Sequence, residues 1–69
     1  MAVIKAETDC TINYLKFKNY DDVKEGDEIL QVDVMKMMIP YPTPISGTIK
    51  YHIQPGDFVY AGTILAEVI

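Results

Sequence analysis

Asp33-Val34-Met35-Lys36-Met37-Met38 lies close to the middle of a 69-residue chain, and its reading decides how the rest folds. Val32 and Val34 before the turn, and Met37 and Ile39 after it, read as strand, so the chain must reverse at Met35-Lys36. A two-residue hairpin turn wants Asn-Gly or Asp-Gly, because both central residues take positive φ. Met-Lys supplies neither. An unfavourable turn between two good strands is the kind of local violation expected where function outranks propensity.

Working outward toward the N-terminus, Ile29 to Val34 reads as strand, preceded by a turn at Glu25-Gly26-Asp27 and a short extended piece at Val23. Asn19-Tyr20-Asp21-Asp22 is a turn by composition. Thr11 to Lys18 reads as a further strand, with Leu15 and Phe17 alternating against Lys16 and Lys18. Before it come a short apolar start, Val3-Ile4, and a polar entry to the sheet, Glu7-Thr8-Asp9.

Toward the C-terminus, Pro40, Pro42 and Pro44 recur at every second residue within Met37 to Ile45. Successive N–H groups of a strand point to alternate sides, so these prolines remove donors from one side only. That marks an edge strand with a blocked outer edge; a polyproline-like connector is the alternative. Ser46-Gly47 is expected to turn the chain, and Thr48 to Ile53 then alternates Ile49, Tyr51, Ile53 against Lys50, His52, Gln54. Pro55-Gly56-Asp57 turns it again, Phe58-Val59 is extended, Ala61-Gly62 turns, and Ile64 to Ile69 ends as strand. No segment sustains a 3.6-residue period, so the chain reads as all-β.

Composition narrows the function classes. The chain is one domain at most, residues 1–69, with no room for a substrate pocket together with catalytic machinery, so it is expected not to be an enzyme itself. With 49% apolar and 23% charged residues it has the make-up of a folded domain. A net charge of −4, with six scattered basic residues, argues against nucleic acid and against an anionic membrane surface. Cys10 is alone, so no internal disulfide forms and a reducing compartment is expected: the cytoplasm, with an organellar matrix as the alternative. Cys10 and His52 are too few for a metal site, and no apolar run approaches the ~20 residues of a membrane span. Tyr14, Tyr20, Tyr41, Tyr51 and Tyr60 read as sheet and surface aromatics, without ligand-stacking spacing.

The two halves repeat at an offset of 36: Phe17 with Ile53, Asp21 with Asp57, Val23 with Val59, Gly26 with Gly62, Ile29 with Leu65 and Val32 with Val68. Upstream of Phe17 the phase is unclear. Asn19-Tyr20 stands where the second half has Pro55-Gly56, so the first turn is expected to be built differently. Two such halves predict a small barrel with an approximate two-fold axis. The counterpart of Lys36 falls at position 72, beyond residue 69, where the chain ends meet. Lys36 is therefore expected at the pole opposite the termini, and reads as a point of covalent attachment.

With these residues in place, the chain resembles the biotinyl domain family, the biotin carboxyl carrier domains of biotin-dependent carboxylases. The matching positions are Lys24-Glu25-Gly26-Asp27, Val34-Met35-Lys36-Met37, Pro44 with Ser46-Gly47, Pro55-Gly56-Asp57 and Ala61-Gly62. Met-Lys-Met is the specific part, since lipoyl domains of the same fold typically carry Asp-Lys-Ala. Asp33 stands where the family usually has Glu, and Val34 resembles the eukaryotic acetyl-CoA carboxylase type. No insertion between Phe17 and Val32 could form the protruding thumb of some bacterial carriers, and no Ala/Pro-rich linker precedes the domain.

The resemblance implies a flattened barrel-sandwich of two pseudo-two-fold-related four-stranded halves, with the biotinyl lysine, Lys36, on an exposed hairpin. It implies that a biotin protein ligase joins biotin, activated as its adenylate, to the Lys36 amine, reading Asp33, Val34, Met35 and Met37. Gly26, Gly47, Gly56, Gly62 and Pro44 would shape turns. Biotin carboxylase would load the ureido nitrogen from ATP and bicarbonate, and a carboxyltransferase would unload it, most readily in an acetyl-CoA or acyl-CoA carboxylase. A lipoyl-type carrier, or an unmodified barrel serving as a docking module, are the competing readings.

Overall fold

Eight strands and no helix make up the computed structural model, which describes residues 1–69 throughout. They are β1 (Ala2–Lys5), β2 (Cys10–Leu15), β3 (Asp22–Val23), β4 (Glu28–Val34), β5 (Met37–Pro42), β6 (Gly47–Tyr51), β7 (Phe58–Val59) and β8 (Ile64–Val68). One antiparallel sheet runs β1-β8-β6-β3 and the other β5-β4-β2-β7. Exchanging β1 with β5, β8 with β4, β6 with β2 and β3 with β7 turns one order into the other. The two-fold expected from the repeat is thus the organising symmetry of the fold.

Hydrogen bonds follow it closely. Asp21 N–H donates to Lys18 O at 3.1 Å, as Asp57 N–H does to Gln54 O at 3.1 Å; Gly26 N–H donates to Thr43 O, as Gly62 N–H does to Ala6 O, both at 2.8 Å. The unclear phase upstream of Phe17 has a structural cause. The β2–β4 register slips between Ile12 and Tyr14, so Asn13 is an extra residue in a bulge. Before it the offset becomes 37, pairing Ile12 with Ile49 by position in the sheet.

The core lies between the sheets and inherits the symmetry: Ile12 and Ile49, Val23 and Val59, Ile29 and Leu65, and Val32 and Val68 are all buried. Bulges at Ile29 and Leu65 interrupt strict alternation, so Ile29-Leu30 and Leu65-Ala66 are buried as consecutive pairs. Ile49, Tyr51 and Ile53 face inward and Lys50, His52 and Gln54 outward, as their alternation predicts.

Several expectations need correcting. The turn at Tyr20 is not built differently: Tyr20 takes φ 72°, close to the 94° of Gly56, although it carries a Cβ. Gly47 does not turn the chain but opens β6. A Cβ there would lie 2.5 Å from Ile69 O and 3.0 Å from Val68 Cγ1, so close backbone approach is what demands glycine. The strand expected over Thr11 to Lys18 stops at Leu15, and Phe17 bends in against the core. The apolar start Val3-Ile4 is a full edge strand, β1, paired with β8. Tyr41 and Tyr51 are core residues. The Tyr51 hydroxyl donates to Ile29 O across the sheets at 2.5 Å and accepts from Phe17 N–H at 3.2 Å; that of Tyr41 accepts from Glu7 N–H at 2.9 Å.

The proline reading holds for Pro40 and Pro42, while Pro44 lies beyond β5 in the bend that follows. β5 is an edge strand, and counting from the Val34–Met37 pair that closes the hairpin, Pro40 falls where an N–H would face outward. By position in the sheet, Pro40 and Pro42 correspond to Val3 and Lys5 of β1, the other long edge. Only the edge beside Lys36 is sealed against pairing with another chain.

Candidate functional site

Lys36 sits on the β4–β5 hairpin, where register fixes the geometry: Val32 faces Ile39, Asp33 faces Met38 and Val34 faces Met37. Two residues remain for the reversal, Met35 with φ 50° and Lys36 with φ 67°. Positive φ at both central residues defines a type I′ turn, whose twist matches that of the flanking strands. A side chain in this left-handed region costs roughly 1–2 kcal/mol per residue. The hairpin holds the strain because β4 is interior to its sheet, Val32 is wholly buried, and Val34 and Ile39 pack against the core.

The turn itself packs against nothing. Lys36 is exposed, and its amine has neither a hydrogen bond nor a salt bridge; Glu67 Oε1 lies instead against His52 Nε2, at 2.6 Å. Met35 is 92% exposed and Met37 65%, so these methionines are not core packing. Asp33 and Val34 are half-buried at the base. A free amine on a strained, well-anchored tip can be acylated without disturbing the fold. Because no side chain covers the tip, the residues present fit an amide-linked group on Lys36.

The other candidates for chemistry lead elsewhere. Cys10 is buried, and that burial, helped by the nearby Asp9 carboxylate, pushes its thiol above the usual range, which leaves it a packing residue. His52 lies on the outer face of β6–β8 against Glu67. An open recess of about 530 Å³ is lined by residues of the 15–19 and 51–57 connections and includes no hairpin residue. Gly26, Gly56 and Gly62 occupy turns with φ of 88–94°, and Pro44 lies in the bend after β5. The sequence reading gave no role to Phe58, read only as extended, or to Tyr60, read as a sheet or surface aromatic; both are exposed. Comparing them with their repeat counterparts, Asp22 and Lys24, was the available signal.

Fold and hairpin together are those of a carrier domain, and the family profile described as "Biotin-requiring enzyme" matches residues 2–68: the chain belongs to the biotin/lipoyl family. Membership supports a covalently attached biotin or lipoyl group, and such carrier domains are themselves non-catalytic. Among curated relatives, a glycine cleavage system H-like protein of Staphylococcus aureus is 44% identical over 39 residues, 56% of this chain and 36% of that protein. Acetyl-CoA carboxylase 1 of Arabidopsis thaliana is 28% identical over 65 residues, 94% of this chain. The chain thus spans about a third of the first relative and 3% of the second.

Solved structures agree on the fold. The lipoyl domain of the 2-oxoglutarate dehydrogenase complex of Azotobacter vinelandii superposes with a TM-score of 0.87 at 22% identity, covering 100% of this chain and 96% of that one. A single-chain, multi-domain long-chain acyl-CoA carboxylase superposes with a TM-score of 0.84 at 19% identity, covering 94% of this chain and 7% of that one.

Proposed function

We propose that this protein is a biotin carboxyl carrier, acylated on Lys36 by a biotin protein ligase and serving the carboxylase and carboxyltransferase sites of an acyl-CoA carboxylase. The observation that carries the reading is the Met-Lys-Met tip: an exposed, unpartnered amine between two exposed methionines on a turn that a better turn-former could occupy with less strain. The relative that aligns along nearly the whole chain is an acetyl-CoA carboxylase, which supports biotin as the group.

The chain's own part is presentation. β4 and β5 hold the amine clear of the sheets, and Met35 and Met37 offer adaptable apolar contacts to whatever docks there. Bound biotin would supply a ureido nitrogen that takes up carboxylate at one site and releases it at another. Tethering raises its local concentration at both without tight binding. A lipoyl carrier is the second reading, favoured by the similarity to the glycine cleavage H-like protein.

Intact mass after coexpression with a biotin ligase, and separately with a lipoate ligase, distinguishes the two. The expected result is a biotin-sized increment on the parent and none on Lys36→Ala. A lipoyl increment alone would replace the first reading with the second, and an unchanged mass with both ligases active on control domains would sink both. Lys36→Gly should carry no group yet melt at least as high as the parent, because glycine takes positive φ without the side-chain penalty.

A further inference from the structure

The two halves also differ at their shortest strands. Phe58 and Tyr60, on and just beyond β7, are 58% and 68% exposed, with rings packed edge to face at 5.3 Å and 89°. Their counterparts 36 positions earlier, on and just beyond β3, are Asp22 and Lys24. Apolar rings in water contribute little to folding, and the first half forms the same strand and turn with charged residues. The aromatic pair therefore has a cause outside the fold.

Register places the pair relative to Lys36. Phe58 faces Thr11, Thr11 faces Asp33, and Asp33 faces Met38, so the four form one row across the outer face of β7-β2-β4-β5. Phe58 is two strand spacings, about 10 Å, from Asp33 at the hairpin base. Tyr60 lies further along, where Ala61 N–H donates to Asp9 Oδ1 at 2.8 Å. The hairpin end thus presents apolar side chains interspersed with Asp9 and Asp33.

Resting on the reading that Lys36 is acylated, we infer that Phe58 and Tyr60 form the outer part of the surface on which the acylating ligase docks, filling an apolar recess of that enzyme bordered by basic side chains. Reach favours the ligase over the enzymes that act later. A ligase must bring the bare lysine amine to its active centre, so it approaches the turn to within one side-chain length. Enzymes acting on the far end of the attached group can stand off.

Area points the same way. A specific interface takes roughly 800 Å² from each partner, on a molecule exposing 4359 Å² in all. A patch of that size centred on the turn extends about 16 Å from it, and so takes in the aromatic pair. Asp9 and Asp33 beside the rings supply the complement to a basic rim.

The test exchanges the pair for the residues the other half already carries, Phe58→Asp with Tyr60→Lys, and measures biotin incorporation by a biotin protein ligase, or lipoyl incorporation by a lipoate ligase should that be the group. The expected outcome is a drop of about tenfold in kcat/KM, through KM, with the melting temperature within a few degrees of the parent. Tyr60→Ser, which leaves Phe58 in place, should lose roughly threefold, and keeps the test open if the double variant fails to fold. The reciprocal exchange at the other end, Asp22→Phe with Lys24→Tyr, should leave the rate unchanged. A double variant that is folded and acylated within about twofold of the parent overturns the inference. So does a parent that sediments as a dimer while the double variant is monomeric, since the pair would then cover a second copy. A parent that neither ligase modifies removes the acylation reading itself, and the inference with it.

Discussion

The turns at Lys18–Asp21 and Gln54–Asp57 are the same turn built from different residues. In each, the first N–H donates to an aspartate carboxylate three residues on, Lys18 to Asp21 Oδ2 and Gln54 to Asp57 Oδ2, both at 2.9 Å. In each, the residue before the aspartate takes positive φ, Tyr20 at 72° and Gly56 at 94°. The aspartate and its two hydrogen bonds define the turn, and glycine only lowers its cost. The three non-glycine residues with positive φ are Tyr20, Met35 and Lys36, none of them in the second half. That half meets its conformational demands with glycine at both turns, while the first half does so only at Gly26 and bears strain at Tyr20, as the hairpin tip does at Met35 and Lys36.

The largest effect in this comparison is expected at Gly47. Its counterpart by position in the sheet is Cys10, which carries a buried side chain without difficulty. At Gly47 an added methyl would meet the Ile69 carbonyl at 2.5 Å, and that carbonyl is held by Thr48 N–H at 3.0 Å, so the backbone cannot yield cheaply. Gly47→Ala should destabilise by about 3 kcal/mol, at the upper end of overpacking costs. Cys10→Ala, its opposite number, should cost about 1 kcal/mol as a small loss of buried volume. Urea melts of the two variants check the contrast, and equal midpoints would mean that the halves differ less than their sequences do.

An intermediate effect separates Tyr51 on β6 from Tyr14 on β2, which lies one residue before the positional counterpart of Tyr51, Leu15. The Tyr51 hydroxyl joins the two sheets, and its removal leaves Phe17 N–H without an acceptor, whereas Ile29 O keeps Lys16 N–H at 2.9 Å. Tyr51→Phe should cost about 1.5 kcal/mol. Burial pushes the Tyr51 hydroxyl above its ordinary range, partly offset by the Phe17 N–H. The unfolded chain therefore loses this proton first: the contribution is complete below about pH 10, the unfolded tyrosine value, and is lost as pH rises toward the folded one. Tyr51→Phe should accordingly flatten the alkaline limb of the stability curve.

Tyr14 lies at the surface, bonded to Glu28, whose carboxyl it holds below the usual range. The stability this adds is present above the unfolded carboxylate value and is lost as pH falls through the folded one. The same hydrogen bond to Glu28, with partial burial, raises the Tyr14 hydroxyl, so Tyr14→Phe should act on both limbs, on the acid one through Glu28 and on the alkaline one through its own proton.

Much of this was legible in the sequence, for identifiable reasons. Val23 and Val59, or Val32 and Val68, are equivalent core positions, and a repeat of such residues at 36 survives wherever no residue is inserted. The bulge at Asn13 shifts the phase by one, which is why β1 and the start of β2 were hard to match. Alternating prolines announced an edge strand because a missing donor is visible in sequence. Gly47 was misread as a turn residue because a close approach from Ile69, distant in the chain, leaves no local trace. The Lys36 tip stood out as a violation, and the likeness of the Tyr20 turn to the Gly56 turn went unrecognised for the converse reason: strain borne by an ordinary residue looks like an ordinary residue.

The smallest effect follows from Tyr20 itself. Its left-handed conformation costs roughly 1–2 kcal/mol, against which glycine brings a greater loss of chain entropy on folding, about 0.5–1 kcal/mol. The Tyr20 ring is 69% exposed, so little packing is lost with it. Tyr20→Gly should therefore stabilise the domain by about 0.5 kcal/mol. Gly56→Ala should destabilise by about 1 kcal/mol, since an added Cβ meets no atom within 4 Å and only the backbone conformation resists it. The signs carry the argument. If Tyr20→Gly destabilised the domain, the tyrosine would be packing rather than straining, and the two turns would be alike in hydrogen bonding but not in how the fold sustains them.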